Sequence, residues 1–124
     1  MIDHTIVEKA ERLCSKLSHL IPKEKPALLH GDLWSGNYMI NNSGNPVLID
    51  PAVYYGHREM DLAMTMLFGG FGSEMYEAYN RTHPLEKNWK DRIALFQLYP
   101  ILVHVTLFGG SYVHQASRII DQYT

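Results

Sequence analysis

HGDLWSGN, residues 30–37, is the stretch on which the fold turns. It follows the apolar run Ala27-Leu28-Leu29 and precedes Tyr38-Met39-Ile40, so a loop carrying His, Asp and Asn lies between two strand-like runs. Asn41-Asn42-Ser43-Gly44-Asn45-Pro46 is dense in turn formers and separates the second run from Val47-Leu48-Ile49-Asp50, which is the pattern of a hairpin. Two or three short strands are expected, with polar residues at the ends of two of them.

Outward from this centre the chain reads as helical. Ile6, Ala10, Leu13, Leu17 and Leu20 recur at spacings of three and four with charged residues between them, one apolar stripe on a first helix that Pro22 and Pro26 end. Pro51 to Arg58 has no regular period and is expected to be a structured loop. Helices are predicted at Glu59 to Phe68, Ser73 to Arg81, Asn88 to Phe108 and Ser111 to Tyr123, separated by glycines and His83-Pro84. Pro100 should kink or split the third of these. The expected fold class is mostly α with a small β element, an α+β chain forming a single domain over residues 1–124.

Composition narrows the function. The 124 residues are 46% hydrophobic and 19% charged, enough to bury a core. A formal charge of -2, from 11 basic and 13 acidic residues, supplies no basic field for nucleic acid or an anionic membrane. Ile93 to Phe108 contains Gln97, Pro100 and His104 and falls short of a clean membrane span, so a buried core helix is expected. The amino end, Met1 to His4, leads into a charged amphipathic segment and gives no sign of a signal peptide. Cys14, the single cysteine, is expected as a small buried apolar residue in a reducing, cytoplasmic compartment.

The chemistry lies in the loops. Asp32 and Asn37 project from one tight loop, and Asp50 closes the neighbouring strand. A carboxylate, an amide and a second carboxylate can converge on a hard divalent cation such as Mg²⁺ while one Asp stays free for proton work. Phosphoryl transfer needs this arrangement, because positioning and electrostatics supply nearly all its catalysis. The spacing H-x-D-x-x-x-x-N is that of a protein-kinase catalytic loop, with a second metal-binding Asp following after a hairpin. By chance alone the spacing would occur in roughly one chain in a hundred of this length. The flanking strands and Asp50 are further independent conditions.

The words PALLHGDLWSGNYMI and VLIDPAVYYGHREMDLAMTMLFGGF then go beyond spacing. They resemble the fructosamine and ketosamine kinase family, within the aminoglycoside-phosphotransferase-like small-molecule kinases, from about Pro26 to the end. Trp34 inside the loop, Asp50-Pro51-Ala52 and Tyr54-Tyr55-Gly56-His57-Arg58-Glu59 carry the likeness and separate it from choline and aminoglycoside kinases. The resemblance implies a protein-kinase-like carboxyl-terminal lobe that moves the γ-phosphate of ATP to a sugar hydroxyl of a ketoamine, small or protein-bound. It implies Asp32 as the base, Asn37 and Asp50 on Mg²⁺, and His30 and Asp61 as supports of the loop. Trp34, Tyr54, Tyr55 and His57 would face the sugar.

Plainer roles compete for the outer residues. Asp61 could simply complement a helix amino end, Tyr54 and Tyr55 could be core aromatics, and His57 and Arg58 a solvated helix start. His104 and His114 lack ligand spacing, and the methionines suit packing. A kinase of this type also needs a glycine-rich strand pair, a strand Lys and a helix Glu around ATP, and the sequence holds none of them. An amino-terminal ATP-binding lobe is therefore expected to be absent, with little or no activity from these residues alone. The rival expectation is a non-catalytic remnant serving as a folding or interaction module, its exposed inter-lobe face favouring self-association. A metal-dependent hydrolase on His30, Asp32 and Asp50 is weaker, lacking a second suitably spaced His.

Overall fold

A computed structural model describes residues 4–124, and readings that rest on Met1 to Asp3 lie outside them. In chain order the elements are α1 (His4–Leu20), β1 (Ala27–Leu29), a 3-10 turn (Ser35–Asn37), β2 (Tyr38–Ile40), β3 (Pro46–Leu48), β4 (Tyr54–Gly56), α2 (Glu59–Leu67), α3 (Ser73–Thr82), α4 (Trp89–Phe108) and α5 (Ser111–Tyr123). The chain is mostly helical with a small β element, as its sequence predicts. Two compact units emerge, one of residues 24–89, the other of the residues before Glu24 with those from Lys90 to the end.

In the second of these units the α1 stripe finds its partners. Leu13 is buried with Leu95 of α4 and Ile120 of α5, and Ile6, Ala10, Leu17 and Leu20 pack around them. Each such side chain withdrawn from water stabilises the fold by about 1.5–3 kcal/mol, which is why a helix of only moderate propensity forms here. Lys9 and Asp121 add an exposed ion pair at 2.7 Å, worth at most about 1 kcal/mol. The Tyr123 hydroxyl accepts from the Leu95 amide and donates to the Asp91 carbonyl. Burial holds its proton more tightly than usual, while the Leu95 amide pulls the other way.

Two expectations fail in this unit, and of the two outcomes expected at Pro100 the split does not occur. Cys14 is exposed, because it sits one residue past Leu13 and so about 100° off the buried stripe. Pro100 does not split α4, which continues through it for 20 residues. Nor is α4 a buried core helix. Leu95, Phe96 and Ile101 are buried, yet Tyr99, Leu107 and Phe108 are exposed, and by length and composition alone α4 is long and apolar enough to cross a membrane.

In the unit of residues 24–89, β2 and β3 form the expected hairpin, Tyr38 opposite Leu48 and Ile40 opposite Pro46. Its tip is held by Asn41, whose Oδ1 accepts from the amides of Ser43 and Asn45. The stretch expected as a loop before α2 instead contains β4, antiparallel to β1 with Leu29 opposite Tyr54 and Ala27 opposite Gly56. Asp50 lies beyond β3, in the left-handed region at φ 49, a conformation Asp tolerates better than most residues.

The start of β1 is clamped to the start of α2. Arg58 forks onto both carboxylate oxygens of Glu24, at 2.7 and 3.3 Å, and also donates to the carbonyls of His83 and Pro84. Burial opposes its charge, but the hydrogen bonds to Glu24 and Tyr79 outweigh that, so the guanidinium holds its proton above the ordinary value. Arg58→Met should cost about 2–3 kcal/mol, since it strands a half-buried carboxylate and two carbonyls. An unchanged urea midpoint would show the clamp to be incidental.

Candidate active site

Residues 30–37 form a loop that is tied down at both ends by the same short strap. The His30 carbonyl accepts from the Ala52 amide at 2.8 Å, continuing the β1–β4 ladder, and the Asn37 carbonyl accepts from the Ile49 amide at 3.0 Å, continuing the hairpin. Asp50 lies between these two anchors. Its position beside the loop thus follows from backbone pairing on either side of it.

Inside the loop His30 makes two bonds that settle its tautomer. Nδ1 accepts from the Asp32 amide at 3.2 Å, so the ring proton belongs on Nε2, which donates to the Ile49 carbonyl at 2.7 Å. The same ring thereby touches the backbone of Asp32 and of the residue before Asp50. Asp61, two residues into α2, takes the His30 amide on Oδ2 at 2.8 Å and the Gly31 amide on Oδ1 at 3.1 Å. Two backbone donors on one carboxylate make a strong brace, a task different from complementing the helix end.

Asn37 is buried, and its Nδ2 donates to the Asp32 carbonyl at 2.9 Å and to Asp32 Oδ2 at 3.2 Å. One carboxylate oxygen of Asp32 is thereby oriented while Oδ1 stays available. The amide nitrogen of Asn37 being spent, its oxygen is what remains for a cation. With the exposed carboxylate of Asp50, these are hard oxygen donors of the kind Mg²⁺ takes, few enough to leave room for water and phosphate.

The outer residues are placed differently. Trp34 lies over Gly36 and meets Phe68 edge-on, with centroids 6.2 Å apart. Tyr54 and Tyr55 are on β4, both exposed. The Tyr54 ring covers Gly31 and Gly56. His57 is grouped with Glu24 and Glu59, their ligand atoms within 4.8 Å of one another, and its Nδ1 accepts from the Glu59 amide. Both oxygens of Glu24 are already held by Arg58 and a His57 lone pair is in use, so the group is an ion-pair cluster and not a cation site. Sequence reasoning had no signal for it, since Glu24 lies 33 positions from His57.

Behind the loop an apolar cavity of about 470 Å³ is lined by Leu33, Tyr38, Leu48, Phe71 and Met75. It borders the α2–α3 turn, where Gly70 presses against Ser35.

A family described as fructosamine kinase matches residues 3–124. A "Probable ketoamine kinase" of Lactiplantibacillus plantarum is 54% identical over 99 residues, covering 80% of this chain and 35% of that protein. A "Protein-ribulosamine 3-kinase, chloroplastic" of Oryza sativa subsp. japonica is 42% identical over 123 residues, covering 98% and 36%. Among solved structures, one described as a "putative fructosamine-3-kinase" from Thermobifida fusca YX-ER1 superposes with a TM-score of 0.90 at 41% identity, covering 98% of this chain and 43% of that one. The chain spans about a third of the length of the curated relatives it matches.

Proposed function

Because the chain belongs to the fructosamine kinase family, we propose that it is the catalytic-loop lobe of a kinase that uses ATP and Mg²⁺ to phosphorylate a sugar hydroxyl of fructosamine-type ketoamines. The lobe has the protein-kinase-like fold of that family. What supports the reading is the double anchoring of loop 30–37 to Ile49 and Ala52, which ties the backbone on either side of Asp50 to the loop that carries Asp32 and Asn37.

In this mechanism Asp32 accepts the proton of the attacking hydroxyl on Oδ1 while Asn37 holds Oδ2 in place. Asn37, through its side-chain oxygen, and Asp50 would hold Mg²⁺, which would supply neutralisation of the phosphate charge. Asp61 and His30 keep the two carboxylates in register by fixing the backbone between them. Trp34 and Tyr54, whose ring covers Gly31, border the acceptor, while His57 stays in its cluster with Glu24 and Glu59. The adenine pocket and most phosphate contacts come from outside these 124 residues, which alone bind nucleotide weakly and turn over little.

Calorimetry with Mg-ATP tests this. Weak binding is expected, at least tenfold weaker in Asp50→Ala. Equal heats from both proteins, or none from either, would favour a non-catalytic module.

A further inference from the structure

Phe68, at the carboxyl end of α2, entered none of the roles above. The benzo ring of Trp34 lies over Gly36, where a Cβ would come within 2.2–2.5 Å of three ring atoms. On the neighbouring turn a Cβ on Gly70, at φ +100, would come within 2.6 Å of the Ser35 side chain. The Gly70–Ser35 approach sets the turn after α2 against the catalytic loop, the Trp34–Gly36 approach fixes the indole within that loop, and the Phe68 ring meets Trp34 at an interplanar angle of 75°. The pair is an aromatic corner that remains accessible, Trp34 at 39% and Phe68 at 49% exposure. It is two residues from Asp32, whose carbonyl accepts from the Trp34 amide at 3.1 Å.

We propose that Phe68 is a specificity-determining residue, completing with Trp34 a corner that takes the protonated linking nitrogen of the ketoamine and the C–H groups beside it. The proposal rests on the function proposed above. What distinguishes a ketoamine from an ordinary ketose is a basic secondary nitrogen, and aromatic faces attract such a cation, tryptophan most strongly. The nearby Asp32 carboxylate reinforces that preference. A neutral sugar gains only the C–H contacts, so the corner selects for the amine.

The chain's two tryptophans, Trp34 and Trp89, make the test direct, the second serving as an internal reference. The 124-residue chain with Mg²⁺ is titrated with Nα-acetyl-Nε-fructosyllysine and with its ether isostere, in which oxygen replaces the linking nitrogen, while the indole N–H signals are followed by NMR. The amine should bind about tenfold tighter and shift Trp34 but not Trp89. Phe68→Leu should reduce that preference to about threefold or less with the ether affinity unchanged, and Phe68→Tyr should retain it. Equal affinity for amine and ether, or equal weakening of both in Phe68→Leu, would overturn the role of Phe68 and leave the acceptor site standing. Absence of binding by either probe would overturn both.

Discussion

Asp32→Asn should lower the turnover of the complete kinase by about 10²- to 10⁴-fold, the range expected when a general base is removed. Asparagine keeps the shape of the side chain, and the His30, Asp61 and Asn37 bonds to the loop backbone do not depend on the Asp32 carboxylate. What it loses is the ability to accept the hydroxyl proton. Apparent affinities for ATP and ketoamine should therefore change far less than kcat. Steady-state release of ADP measures this, and a rate close to the unmodified enzyme would remove Asp32 from proton transfer.

Gly31→Ala should be the most damaging small substitution for folding. Gly31 sits at φ +87, and a Cβ there would lie 2.0 Å from the Ala52 carbonyl oxygen. Backbone strain of order 1–3 kcal/mol adds to about as much again for the forced displacement, so a loss of about 3–5 kcal/mol is expected. The displaced atom belongs to Ala52, whose amide bonds the His30 carbonyl, so loop and strap must separate. Urea denaturation checks this, and an unchanged midpoint would mean that the loop carries no such constraint.

Much of this was legible in the sequence, for identifiable reasons. The α1 stripe, the turn formers from Asn41 to Pro46 and the glycine breaks between helices are local signals, and the helices and hairpin lie where those signals put them. Asp32, Asn37 and Asp50 were legible as candidates because a fixed spacing and a hairpin restrict where their side chains can go. β4 was not, since three residues ending in glycine carry no period of their own and become a strand only through pairing with β1. The exposure of α4 was hidden for the opposite reason: a helix apolar nearly all round gives no hint of which side is covered. Phe68 and the Glu24–His57–Glu59 cluster depend on contacts between distant or unpatterned positions, which no local rule reports.

Loop 30–37 and strap 49–52 are joined covalently through the hairpin and bonded to each other at both ends, so together they close a ring. A ring of this kind has no free end. Its members cannot drift singly, and a displacement imposed at Asp50 must be shared by Ile49, His30 and Asp32. The residue proposed to hold the metal and the residue proposed to take the proton are thereby one mechanical part.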